Sequence, residues 1–111
     1  MTYKIAEQFS RTPGGRFKRH GPYSGEQFRD EVLCDLLRQV MEADDTLAIV
    51  LDGAAGYGSS FLEEAFGGLI RLGLFDRDVL QKHLELQAFD PLYETYRLSA
   101  NRYMEDAQPP Q

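Results

Sequence analysis

Two adjacent serines, Ser59 and Ser60, follow the glycine-rich run Gly53-Ala54-Ala55-Gly56-Tyr57-Gly58 and open an apolar segment with helical spacing. Hydroxyls at a helix start face unpaired backbone N–H groups and the positive end of the helix dipole. A phosphate would be stabilised there, whether bound or carried on a serine. Ser60 stands three residues before Glu63, the spacing of a capping box in which each side chain bonds the other's backbone N–H. On this reading Ser60 is a cap, Glu63 its partner and Glu64 a solvent-facing or helix-start charge. Ser59 is then the surplus hydroxyl. Capping alone explains Ser60, and a role as a cap or as a switch stays open for Ser59. Tyr57, in a loop between two glycines, is expected to be exposed and to serve as a contact residue.

Other chemistries fit this turn less well. Gly53 to Ser60 matches G-x-x-x-x-G-x-S between a strand and a helix, as a phosphate-binding loop would, but Ser59 occupies the lysine position. A serine-hydrolase elbow needs glycine two residues after the serine, and Phe61 or Leu62 stands there. The two histidines, His20 and His83, lie far from the turn in sequence, and one cysteine with two distant histidines does not make a zinc site. The sequence therefore calls for neither a catalytic residue nor a metal nor a cofactor.

The elements that must position the turn are readable. Leu47, Ala48, Ile49, Val50 and Leu51 form an all-apolar run closed by Asp52-Gly53, which predicts a strand buried on both faces. Tyr3, Ile5 and Phe9 predict a first strand over 2–8, and Arg16 to Arg19 a short hairpin partner to it. Ser24-Gly25-Glu26-Gln27 is another capping box, followed by a stripe of Phe28, Val32, Leu33, Leu36, Leu37, Val40 and Met41. Phe61, Leu62, Ala65, Phe66, Leu69 and Ile70 mark a second helix ending near Gly73. Its Gly67-Gly68 pair implies close approach of the helix backbone to the sheet. Leu84, Leu86 and Ala88 predict a strand over 82–89. Asp90-Pro91 then starts a last helix whose inner side is expected to run through Leu92, Tyr96, Ala100 and Tyr103. Residues 1–105 are expected to form the single domain and 106–111 a frayed tail.

Composition narrows the function classes. A chain of 111 residues has room for one domain, and its single cysteine, Cys34, falls at a small apolar core position. The net charge of -6 conceals a basic loop. Arg11, Arg16, Lys18 and Arg19 lie together without an acid, leaving eight basic residues against 18 acidic ones elsewhere. An acidic body argues against nucleic-acid binding. Arg16, Lys18 and Arg19 are candidate anion contacts, alongside the plainer reading that they pair with local carboxylates. The backbone N–H groups at the start of the Ser24 helix are a second candidate anion position. No apolar run reaches the roughly 20 residues of a membrane span, and the N-terminus lacks a signal-like segment, so a cytoplasmic protein is expected.

An acidic residue closing a buried strand, six intervening positions and Ser-Ser opening a helix resembles the STAS domains of anti-sigma-factor antagonists. Their usual D-S-S-G-L signature falls on Gly58-Ser59-Ser60-Phe61-Leu62. Glycine stands here in place of the aspartate and phenylalanine in place of the glycine. SGEQFR, the LDG strand end and GYGSSFLEEAFGGLIR look closer still to a bacterial STAS-like group of the DUF4325 type. The resemblance implies an α/β fold: a single STAS-like domain with a mixed or mostly parallel sheet of about four strands packed with three helices. It also implies a non-catalytic regulatory module that binds a histidine-kinase-like ATPase or serine kinase, with Ser59 as phosphoacceptor. The partner-facing residues would be Tyr57, Gly58, Ser59, Ser60, Phe61 and Glu64. A small-molecule or nucleotide-binding domain using the glycine-rich turn is the alternative.

Overall fold

The computed structural model describes all 111 residues, Met1–Gln111. Three parallel strands, β1 (Thr2–Lys4), β2 (Leu47–Val50) and β3 (Leu84–Gln87), form a sheet in the order β1-β2-β3. Tyr3, Ile49 and Leu86 share one row across it. All four residues of β2 are buried, as its unbroken apolar run requires of a central strand.

Five helices surround the sheet. They are α1 (Ile5–Gln8), α2 (residues 25–42), α3 (residues 59–71), α4 (Arg77–His83) and α5 (Pro91–Asp106). Two of these differ from the sequence expectation. The first strand stops at Lys4, because Ile5 and Phe9 are also one helical turn apart. The Phe9 N–H bonds the Ile5 carbonyl at 2.9 Å while the Gln8 side chain accepts the Lys4 N–H. Helix α4 takes up residues expected at the start of the third strand, so β3 begins at Leu84. The sheet thus has three strands rather than about four.

The fourth strand is missing because Arg16 to Arg19 is not one. Gly14 N–H bonds Tyr23 O, while Gly15 O and Arg16 O accept the N–H groups of Gly25 and Glu26. The segment closes back onto the start of α2 as an arch, with a 3-10 turn at Lys18–His20. Its carbonyls take up the first N–H groups of α2, and the Ser24 hydroxyl accepts from Gln27 N–H at 3.0 Å. The anion position expected at this helix start is therefore filled by the chain itself.

The core runs continuously from Ile5 through β2 to the inner faces of α2 and α3. Phe28 is its aromatic centre, with the rings of Phe9, Phe61 and Phe66 between 5.1 and 6.1 Å away. Cys34 is buried, and burial pushes its thiol above the ordinary range. Helix α3 ends as expected at Gly73, whose φ of 72° lets Gly73 N–H reach Ile70 O and Leu74 N–H reach Leu69 O. The Asp90 side chain caps α5 through Leu92 N–H at 2.9 Å, but Leu92 itself faces solvent and Tyr93 takes the inner position. No helix is long and apolar enough to cross a membrane.

Candidate interaction site

The turn from Asp52 to Ser60 leaves the C-terminal end of β2, at the centre of the sheet. Both oxygens of the Asp52 carboxylate accept backbone N–H groups, from Phe89 at 2.9 Å and Asp90 at 2.8 Å. That ties the end of β2 to the loop after β3. Ala55 N–H bonds Arg11 O at 2.7 Å, and the Tyr93 hydroxyl donates to Ala54 O at 2.5 Å. Gly53 and Gly56 take positive φ of 96° and 156°, which side-chain-bearing residues resist.

Tyr57 is not the exposed contact expected of a loop tyrosine. It is 6% exposed, and its ring turns inward beneath the loop against Phe61 and Tyr96. Its hydroxyl donates to Leu51 O at 2.7 Å. Burial, then the neighbouring Tyr93 and Asp52, raise its pKa well above the ordinary phenol, so it stays protonated. The ring packs beneath the turn and lines none of four cavities on the molecule. One of the four reaches the start of the turn at Asp52 and Gly53, and none is lined by residues 54–60.

The capping box at Ser60 does not form. Helix α3 starts at Ser59, so Gly58 is the N-cap residue and no side chain caps the helix. Ser59 and Ser60 lie one and two positions past the cap, where a hydroxyl cannot reach the N–H groups that a cap residue bonds. Ser59 is exposed and Ser60 half-exposed. Leu62 N–H makes the first intrahelical bond, to Gly58 O. The turn thus presents Gly58, Ser59 and Ser60 outward, while Phe61 is fully buried and cannot meet a partner directly.

Glu63 and Glu64, one turn further on, enter a charge cluster instead. Glu64 is 3% exposed, not solvent-facing, and pairs with Arg29, itself 4% exposed. Arg29 also donates to Glu64 O at 3.0 Å and to Asp30 at 2.9 Å. Arg71 bonds Glu63 at 3.2 Å and Glu64 at 3.0 Å. Arg16 holds Glu63 and reaches Glu64 at 3.2 Å. Burial alone would raise the Glu64 pKa; the hydrogen bonds of Arg29 and Arg16, with the charge of Arg71, outweigh it and hold the carboxyl below the ordinary range.

Two local features make room for these charges. Both helices widen into a π turn where the pair meets, at Arg29–Leu33 in α2 and Glu63–Gly67 in α3. A Cβ at Gly68 would lie 2.8 Å from the Arg29 guanidinium, and one at Gly67 would lie 2.8 Å from Glu63 and 3.3 Å from Tyr103 O. The Gly67-Gly68 pair therefore admits the cluster and helix α5 rather than the sheet. Sequence reading missed Arg29 and Arg71, although Arg29 precedes Leu33 by one helical turn on an apolar stripe. An arginine on the apolar stripe of α2 was the available signal for Arg29; Arg71, outside the apolar stripe of its helix and partly exposed, carried none.

Two of the four basic residues of the loop, Arg16 and Lys18, are ion-paired, while Arg11 and Arg19 are in no ion pair. Arg16 is bound as above, and Lys18 lies 3.8 Å from Asp30 and 3.6 Å from Glu31. Arg19 lies over the Phe17 ring at 4.4 Å and remains exposed. His20 packs edge-on to Phe17, and His83 Nδ1 bonds Asp45 O at 2.7 Å, at the N-terminal end of the strands and so the opposite end from the serine turn.

A small parallel sheet with a strand, a rigid glycine turn and two serines opening a helix defines a STAS-like α/β domain. The chain matches the model of the STAS-like domain of unknown function DUF4325 over residues 24–93, well over half its length, and belongs to that family. The matched segment contains the Ser24 cap, Arg29, the serine turn and the glutamate pair. No curated protein and no solved structure matches the chain.

Proposed function

We propose that this protein is a non-catalytic, cytoplasmic regulatory module. It offers the Gly58-Ser59-Ser60 turn to a histidine-kinase-like ATPase and is switched by phosphorylation of Ser59. The observation that carries this reading is an exposed serine at the first position of α3 that takes no part in capping it. A residue without a structural task, on a turn held by five hydrogen bonds, fits a recognition point. Phosphate there adds roughly -1.5 to -2 charge at a helix N-terminus, which tolerates it locally, while the same charge pressed into an apolar or acidic partner surface opposes docking. Tyr57, Phe61 and Glu64 then act beneath the surface, fixing the turn rather than touching the partner. The Tyr57 ring buried beneath the turn and the placement of His83 at the far end of the strands favour this reading over nucleotide binding or hydrolysis.

The test is a pull-down from the native cytosol with wild type, Ser59→Ala and Ser59→Asp, bound proteins being identified by mass spectrometry. The expected result is an ATPase retained by wild type and Ser59→Ala and lost with Ser59→Asp. Equal retention by all three would reject Ser59 as a control point.

A further inference from the structure

Helix α5 is apolar on its inner side, where Tyr93, Tyr96 and Ala100 meet the body of the domain, and its exposed side carries Leu92 and Leu98 among Thr95, Arg102, Glu105 and Asp106. Phe89, Leu92 and Leu98 are 74%, 76% and 56% exposed, more than any other large hydrophobic residue of the molecule. All three lie within ten residues of sequence. Exposed Thr95 stands midway between the two leucines. A helix with apolar groups on opposite sides is ordinarily covered on both.

We propose that this outer face of α5 is a homodimer interface, in which α5 packs antiparallel against α5 of a second copy about a two-fold axis near Thr95. The argument for a second copy is self-complementarity. Leu92 and Leu98 are each three residues from Thr95, so an antiparallel pairing centred there brings Leu92 of one copy to the level of Leu98 of the other. Phe89 lies six residues before Thr95 and Arg102 seven after it. Arg102, exposed and in none of the ion pairs of the fold, therefore arrives beside Phe89 and Asp90 of the second copy. There the guanidinium meets the Asp90 carboxylate. A parallel pairing would set Arg102 against Arg102 and is disfavoured. An isologous contact of this kind closes on itself without forming fibres. Helix α5 has 16 residues and is about 24 Å long, so one helix pair lies at the small end of stable interfaces. The dimer is accordingly concentration-dependent. This surface adjoins the start of the serine turn, where Asp52 bonds the N–H groups of Phe89 and Asp90, but it does not depend on the reading given for Ser59.

Sedimentation velocity over a concentration series tests the proposal with wild type, Leu98→Glu and Arg102→Glu, each checked for an unchanged thermal melt. Wild type is expected to shift from monomer to dimer, and both substitutions to raise the dissociation constant by at least about tenfold. Thr95→Cys in a Cys34→Ser background is expected to form a disulfide-linked dimer on mild oxidation, because the two-fold axis brings the two cysteines together. A wild type that stays monomeric at the highest attainable concentration would overturn the proposal. So would a dimer indifferent to Leu98→Glu, or one that Thr95→Cys does not cross-link. Equally, Leu98-dependent capture of a different protein by a persistent monomer would show that another partner owns this face.

Discussion

Helix α3 carries two kinds of polar pair, one turn apart, with opposite fates. Ser59 and Ser60 at its start make no cap, while Glu63 and Glu64 hold Arg16, Arg29 and Arg71 between them. The carboxylates sit where three segments converge: the basic arch, α2 and α3. Burial there demands partners for every charge. The serines sit where the chain has just left a rigid turn and nothing packs over them. Polar residues that are fully engaged explain stability; polar residues left exposed at a fixed position are where function has room to act.

The sharpest way to break this comparison is to remove one member of the buried pair. Glu64→Met leaves Arg29 buried with Asp30 as its only carboxylate and is expected to cost about 3–5 kcal/mol. The double variant Glu64→Met with Arg29→Met is expected to recover a large part of that loss, since two apolar side chains of similar length replace two compensated charges. Urea unfolding of the four proteins of the cycle measures this. A double variant no more stable than Glu64→Met alone would show that the pair contributes beyond satisfying its own charges.

Acid titrates the same cluster with a smaller effect. The folded-state pKa of Glu64 is lowered, so on acidification the unfolded chain takes up its proton first. The stabilisation is fully present above the unfolded carboxyl range, about pH 4.3, and is lost as pH falls through the lower folded value. Wild-type stability should therefore drop steeply below about pH 4.3, and Glu64→Gln, weaker at neutral pH, should show a shallower acid limb. The limb is not abolished, because the Thr46 backbone hydrogen bond lowers Asp45 and the Arg97 hydrogen bond lowers Glu94 as well. Identical slopes in wild type and variant would place the acid sensitivity outside the cluster.

Much of the scaffold was legible because its signals are local. The apolar run of β2, the stripe after Ser24, the Asp90-Pro91 start and the Gly73 stop each rest on residues within a turn or two of one another. The candidate site was legible in place but not in detail. Tyr57 between two glycines looks like a solvent contact, and only the packing of α5 beneath the loop gives its ring a buried home against Tyr96. Glu63 looks like a capping partner until Arg16, 47 residues away, takes it. Ile5 and Phe9 satisfy both a strand and a helical turn, and the Gln8–Lys4 bond decides between them. What escaped sequence reading is what depends on distant partners or on π turns, which carry no periodic signature of their own.

The smallest effect is the most telling for the serines. Three helices of this fold offer a direct comparison of starts: α2 has Ser24 bonded to Gln27 N–H, α5 has Asp90 bonded to Leu92 N–H, and α3 has Gly58 with no side-chain bond. Replacing a working cap by alanine typically costs about 1 kcal/mol, so Ser24→Ala and Asp90→Ala should each lower stability by about that amount. Ser59→Ala and Ser60→Ala should stay within about 0.5 kcal/mol of wild type, as surface substitutions without a structural task do. Chemical denaturation of the four variants resolves the two groups. A loss of about 1 kcal/mol at Ser60 would mean that the helix start slides to restore the capping box in solution. The same loss at Ser59 would cut deeper, because it would assign a structural duty to the exposed hydroxyl that the proposed switch takes as its point of modification.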